Sequence, residues 1–333
     1  MADNYKLFFV GVAAVAMIVG VLGLLDIKNV PYSGYFSGPN NDIVRVFPES
    51  PAEQAGLQVG DVVESIGGIA VTDTKALSRR PRAEIGESRT FVVVRDGSRQ
   101  QIDLSYSGLP SRPRNLGIAA ALIGFCFLLL PLWAYHSAPS TSTVVLALFG
   151  LCFGAAFLPG PYSQSYMLRA LAGAFATSAV VMGFAFLVHY VLQFPKPGAF
   201  LARAWGKRLI YGPAILLALF FVFLTVAQPD ATSGFNRIVG ALVGLFIVGF
   251  FGWAVVAMIR RFRGASASER TDHGLTLMLF GTLAGLLPVT LSSLVGTIAP
   301  QIQANLPGIQ FFFLTLVLIP ICFAIAAMRS ARA

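Results

Sequence analysis

Eight mostly apolar stretches, residues 7–25, 116–134, 144–158, 168–192, 209–227, 238–259, 275–299 and 309–328, run through the chain with short polar connections between all but the first two. About 20 apolar residues in a helix cross the roughly 30 Å of a bilayer's hydrocarbon. The pattern therefore predicts a helix in 1–27 and a seven-helix bundle in 111–333, its second member being the shortest stretch and borrowing flanking residues. Between them, 28–110 changes to short alternating runs bounded by turn residues, the pattern of a small folded α+β unit.

Within that unit Ile43, Val44, Val46 and Phe47 predict a strand, followed by a turn at Pro48 and Glu49. Ser50-Pro51-Ala52-Glu53 reads as a helix start, with Ser50 as N-cap, Pro51 preset in the first turn and Glu53 reaching back to the Ser50 amide. Gly56 ends that helix at once as a left-handed cap, and Leu57 is placed to fold back onto a core. A strand over 62–66, a tight turn at Gly67-Gly68, a continuation over 69–71 and a weak helix over 72–80 capped by Asp73 or Thr74 follow. Asp96-Gly97 joins strands 90–95 and 99–104 as a hairpin.

Composition agrees with two solvents for one chain. The 333 residues are 56% hydrophobic and only 12% charged, with a mean hydropathy of +0.73, unlike a soluble globule. With the amino terminus inside, 11 basic residues fall in the inner loops and 4 in the outer ones, as the positive-inside rule asks. Residues 28–110 hold 9 basic and 10 acidic residues, so the net +9 of the chain belongs to the apolar part. Arginine clusters in loops beside apolar helices are not a basic groove with stacking aromatics, and nucleic acid is excluded as a partner.

The first apolar stretch ends in LLDIKNVPYSG without a small-residue cleavage pattern and is expected to be a signal anchor. The seven later stretches carry no Asp, Glu, Lys or Arg in their apolar interiors, which argues against a pump, coupled transporter or voltage sensor. There is no HExxH motif, and the one Gly-Asp pair, Gly60-Asp61, is in the polar unit, so intramembrane proteolysis loses support and no cofactor or metal is expected. Cys126, Cys152 and Cys322 lie in apolar stretches as small hydrophobes. His189 stands alone and reads as structural. Pro288 and Pro320 predict kinks; Gly240 with Gly244 and Gly281 with Gly285 predict close helix contacts. Thr290, Ser292 and Ser293 line a small polar cavity or bond to their own helix. Tyr162, Tyr166, Tyr190, Trp205 and Tyr211 are expected at interfaces.

SPAEQAGLQVGDVVESIGGIAV, with its AGL, GD and GG elements at fixed spacing, resembles the bacterial PDZ domains of envelope proteases and related sensors. The resemblance implies an exported domain whose sheet edge accepts a partner's extended carboxyl-terminal peptide as an added strand, the terminal carboxylate resting in a nest of amides. Ser33, Gly34, Tyr35 and Phe36 are the residues that would form this nest.

LVHYVLQFPKPG, WGKRLIYGPAILLAL, RTDHGLTLMLFGTLAGLLPVTLSS and LVLIPICFAIAAMR look like the polytopic sensor region of ComP-type bacterial histidine kinases. In that family the last helix runs on into a cytoplasmic signalling domain, whereas this sequence closes on AAMRSARA. The expectation is an α-helical polytopic protein of the bacterial cytoplasmic (inner) membrane with an extracytoplasmic PDZ-like domain, not an enzyme. Its expected role is a sensor that binds an extracytoplasmic peptide, protein carboxyl terminus or lipid-derived ligand and signals to a separate cytoplasmic kinase or regulator. The alternative is an adaptor that holds clients near an envelope protease or assembly complex; a channel or transporter ranks below both.

Overall fold

A computed structural model describes residues 5–38, 40–227, 233–298 and 309–333 of the chain. Helix α1 (Lys6–Asp26) leads through a 3-10 turn into a small β-rich unit. Its elements are β1 (Pro31–Tyr32), β2 (Tyr35–Ser37), β3 (Ile43–Val46), α2 (Pro51–Gln54), β4 (Val62–Ile66), β5 (Ile69–Ala70), α3 (Thr74–Arg79), β6 (Ser88–Arg95), β7 (Ser98–Ser105) and β8 (Ser107–Gly108). The main sheet has the antiparallel order β5-β4-β6-β7, β2 pairs with β3, and β1 pairs with β8 to close the neck of the unit. Ile43, Leu57, Val63, Phe91, Val93 and Leu104 are buried and form one core. Leu57 thus folds back where the sequence places it.

The local signals act through identifiable bonds. The Ser50 hydroxyl accepts from the Glu53 amide at 3.2 Å and donates to the Gly34 carbonyl at 3.2 Å, so one cap also ties α2 to the loop before β2. The Glu53 carboxylate, however, takes the Glu49 amide at 2.7 Å and not that of Ser50. The reason is local: Glu49 has φ +58, and the resulting turn already pairs the Ser50 amide with the Phe47 carbonyl. Gly56, Gly67, Gly68 and the Asp96-Gly97 pair all have positive φ, as their turns require.

The helical part comprises α4 (Ser111–Ser137), α5 (Thr141–Phe157), α6 (Tyr166–Gln193), the short α7 (Ala199–Ala202), α8 (Gly206–Ala227), α9 (Ser233–Gly264), the short α10 (Ala267–Asp272) and α11 (Leu275–Ile298). After residues 299–308, outside the described residues along with the end of the seventh predicted stretch, α12 (Ile309–Leu314) passes through a 3-10 turn into α13 (Leu318–Ser330). Among the described residues seven helices are long and apolar enough to cross a membrane; α5 is apolar but has only 17 residues. At about 1.5 Å per residue it falls a little short of a full hydrocarbon width.

Packing adds detail that apolar length does not carry. Helix α1 does not stand alone: Phe9 and Ala13 are buried against Leu128, Leu132 and Tyr135 of α4 and Ala147 of α5. Of the two glycine pairs, Gly281 and Gly285 bring α11 against α13, where an added Cβ would lie 2.5 Å from the Cβ of Cys322 and 2.9 Å from Ile319 Cγ1. Among the described residues nothing lies within 4 Å of that position at Gly240 or Gly244, and both are exposed on α9. Another close crossing uses glycines that the sequence reading did not single out, Gly124 of α4 against Gly154 of α5, each added Cβ falling 3.0 Å from the other's carbonyl oxygen. Finally, Tyr190 is fully buried, its ring stacked between Phe194 and Phe323, and the Tyr211 hydroxyl meets Nδ1 of His189 at 2.5 Å. Tyr190 therefore belongs to the interior, where Phe323 of α13 covers it, whereas Tyr211 of α8 is half-buried. The Thr290 hydroxyl bonds back to the Leu286 carbonyl of its own helix.

Candidate functional site

The pairing of β2 decides where the β-rich unit is open. Phe47 donates to the Gly34 carbonyl at 2.9 Å, and the register pairs Tyr35 with Val46 and Phe36 with Arg45. Antiparallel ladders alternate, so Gly34–Phe47 and Phe36–Arg45 are the hydrogen-bonded pairs, and the Tyr35 amide and carbonyl point to the opposite edge. Among the described residues that edge has no strand beside it.

Facing it is α3, with a cavity of about 470 Å³ between. Ser37 of β2, Val63 and Ile66 of β4, and Thr74, Leu77 and Arg80 of the α3 segment line this groove. The Asp73 side chain caps α3 by accepting from the Ala76 amide at 2.9 Å. At the other end Arg80 donates to the Ile66 carbonyl at 3.0 Å, which fixes a cation at the mouth of the groove beside Tyr35. Burial, then the neighbouring Arg89, lowers the pKa of Arg80. Tyr35 packs edge-on to Phe91 with centroids 5.7 Å apart, and burial pushes its phenol up to about 12, so it stays neutral.

The four residues expected from the sequence, Ser33, Gly34, Tyr35 and Phe36, directly precede the lining residue Ser37, and the cavity itself is lined by others. The Ser33 carbonyl accepts from the Ala52 amide at 2.9 Å, and the buried Gly34 is held by Phe47 and Ser50, so the loop is braced on α2. Phe36 is 58% exposed and leans on Phe47. Leu77 had a sequence signal, as the one leucine in the polar segment 72–80; Arg80 had none, since its role comes from the chain's return past β4.

A buried ion pair holds the far side. Asp61, 1% exposed, takes Nε and Nη2 of Arg95 at 2.7 and 2.8 Å and the Gln58 amide at 2.8 Å. The Arg95 hydrogen bond lowers the Asp61 pKa against the opposing effect of burial.

The groove is also strapped to the helical part. Arg169, in the first turn of α6, donates to the Ser78 and Arg80 carbonyls at 2.9 and 3.0 Å, capping the carboxyl end of α3 with a cation. Tyr162, in the α5–α6 connection, donates its hydroxyl to the Ala83 carbonyl at 2.7 Å and its amide to Asp26 at 3.1 Å. Arg82 lies over the Tyr162 ring at 5.3 Å.

A capped short helix, a GD turn, an edge strand facing a second helix and a closing hairpin define a PDZ domain. Residues 43–95 match the PDZ domain family model. Over 83 residues, 25% of this chain and 18% of the relative, the sequence is 32% identical to a probable periplasmic serine endoprotease DegP-like of Ectopseudomonas mendocina (strain ymp). Over 56 residues, 17% of this chain and 12% of the relative, it is 41% identical to serine protease HTRA1 of Xenopus tropicalis. A crystal structure of the serine endoprotease from Yersinia pestis matches at 21% identity and a TM-score of 0.22, covering 25% of this chain and 30% of that one. This chain thus spans less than a fifth of the length of the curated relatives it matches; the likeness is to their PDZ regions.

Proposed function

We propose that this protein is a bilayer-held peptide-capture protein, an adaptor that presents a PDZ groove beside a membrane. The reading rests on one observation: the edge of β2 that has no strand beside it among the described residues faces α3 across a groove of about 470 Å³. A peptide added there as a strand pairs its backbone with the free edge at Tyr35. Its terminal carboxylate lies toward the Ser33–Phe36 loop and the Arg80 guanidinium, and its last side chain enters among Ile66, Val71 and Leu77. The seven long apolar helices anchor the domain in a bacterial cytoplasmic membrane, with the groove on the extracytoplasmic side that the basic-loop count favours. The likeness to PDZ regions of proteases described as periplasmic supports that side.

A second reading is favoured by the Arg169 strap. A groove helix bonded to the start of α6 gives a path by which occupancy biases the bundle, as in a sensor working with a separate cytoplasmic kinase or regulator. The resemblance to ComP-type sensor regions belongs to this second reading.

The test is a fluorescence-polarisation titration of the full chain in nanodiscs with a pool of peptides randomised at the last four positions. Saturable binding is expected, weakened at least tenfold by carboxyl-terminal amidation and abolished by Leu77→Trp, which fills the groove. No saturable binding by any member of the pool rejects the groove as a peptide site.

A further inference from the structure

The helical part contains a second cavity, of about 440 Å³, remote from the PDZ groove. Phe127, Phe153 and Phe184 form one wall, and Val248, Gly252 and Met258 of α9 form the facing one. The polar side chain among its lining residues is Thr282, whose hydroxyl is already spent on the Met278 carbonyl of its own helix at 2.8 Å. Such a volume would hold about 15 water molecules at roughly 30 Å³ each, but the wall offers them no hydrogen-bond partner. Ions and polar solutes fare worse, since their desolvation has no compensation there. Only hydrocarbon suits this lining.

The position of the mouth identifies the source. Val248 is both a wall residue and 70% exposed, so the cavity reaches the outer surface of α9. Leu245, one turn away on the same face, is exposed, as are Leu283 and Leu287, which neighbour the wall residues Thr282 and Leu286 on α11. The opening is therefore surrounded by apolar side chains in the middle of long apolar helices and faces sideways, not toward the charged loops. Gly252 keeps the lumen clear: among the described residues a Cβ there meets nothing within 4 Å. At the deep end Leu187, Val191 and Phe323 line the cavity yet are otherwise buried. Lipid that merely coats the bundle does not reach them.

We infer that this cavity is a lateral site for one hydrocarbon chain of a bilayer phospholipid, admitted between α9 and α11. The inference shares with the proposed function only the placement of these helices in a bilayer; it is independent of peptide capture.

The test places the full chain in nanodiscs of phosphatidylcholine carrying a diazirine in one acyl chain, irradiates them and maps the adducts by mass spectrometry. Adducts are expected on Leu187, Val191 or Phe323 as well as on outward residues such as Leu245 and Leu283. Gly252→Trp fills the lumen and should lower the inner labelling at least fivefold while leaving the outward labelling unchanged; Gly252→Ala should retain both. Circular dichroism and gel filtration check that the variants fold, and Leu286→Phe serves as a second filling variant if the tryptophan is not tolerated. Labels confined to outward residues in the unaltered protein would overturn the inference, as would inner labelling that persists in a folded filled variant. Peptide titration of the same nanodiscs reports separately on the PDZ groove.

Discussion

In the PDZ domain the chain changes direction at residues whose backbone conformation few side chains tolerate, whereas in the helical part it turns wherever an apolar run ends. Among the described residues, Asn41, Glu49, Asp96 and seven glycines with positive φ lie in residues 34–97, and only Gly274 has positive φ elsewhere. The small domain is thus determined locally, turn by turn. The bundle is determined by which surfaces of uniformly apolar helices approach closest, and that depends on small residues distributed over the whole chain.

The largest expected effect follows from this contrast. Gly34 has φ +84, and a Cβ there would lie 2.1 Å from the Cβ of Ser50. Gly34→Val combines left-handed strain with a clash against the α2 cap and should cost about 3–5 kcal/mol. Limited proteolysis of the full chain should then cut within residues 28–110 and leave the helical part intact. Loss of peptide capture in this variant would report unfolding, so carboxylate recognition is better tested at Arg80. Equal protease resistance in the variant and the unaltered protein would remove the idea that the loop before β2 is braced on α2.

Asp61→Asn comes next. It breaks the bidentate pair with Arg95 and should destabilise the domain by about 2–3 kcal/mol near neutral pH. Because the folded carboxyl titrates below its usual value, its contribution is present above the unfolded pKa of about 3.9 and is lost as pH falls through the lower folded value. The stability gap between Asp61→Asn and the unaltered protein should therefore narrow below about pH 4. A gap constant from pH 7 to pH 3 in thermal melts would show that the pair contributes nothing through the charge of Asp61.

How much was legible in the sequence divides along the same line. Ser50, Gly56, Gly67-Gly68 and Asp96-Gly97 each carry a turn signal that needs only near neighbours, and each adopts the conformation it signals. Glu53 departed because Glu49, a residue with no turn preference, took positive φ and offered its amide first. In the bundle, apolar length revealed the helices but not their partners: GxxxG spacing is identical at 240/244 and 281/285, yet among the described residues only the second pair meets another helix. The groove lay between these cases. Its edge strand followed a recognisable motif, while Arg80 and the strap from Arg169 join residues 89 apart, a separation that no local pattern encodes.

The two glycine pairs make that difference measurable. Gly281→Leu places a side chain into Cys322 and the Leu318 carbonyl and should lower bundle stability by about 2–3 kcal/mol, read as the loss of a cooperative melt in detergent. Gly240→Leu, on an open face, should stay within about 0.5 kcal/mol of the unaltered protein. Equal effects would mean that α9 is covered on that face and that the contrast between the pairs is false.

A smaller loss than that of Gly281→Leu probes a place where the two regions touch through charge. Arg169 makes partly exposed bonds to the carboxyl end of α3, so Arg169→Ala should cost only about 1 kcal/mol. Its value is as a test of linkage. If a bound peptide favours the strapped arrangement, it must slow hydrogen exchange at the start of α6, and by reciprocity the strap must raise peptide affinity by the same factor. For a contribution near 1 kcal/mol that factor is at most about fivefold. In nanodiscs, peptide should protect the amides of residues 168–171 in the unaltered chain and leave them unprotected in Arg169→Ala, whose peptide affinity should fall by two- to fivefold. Identical affinity and identical protection in both would make the groove and the bundle independent, leaving an anchored adaptor in which the helices only hold the PDZ domain at the membrane.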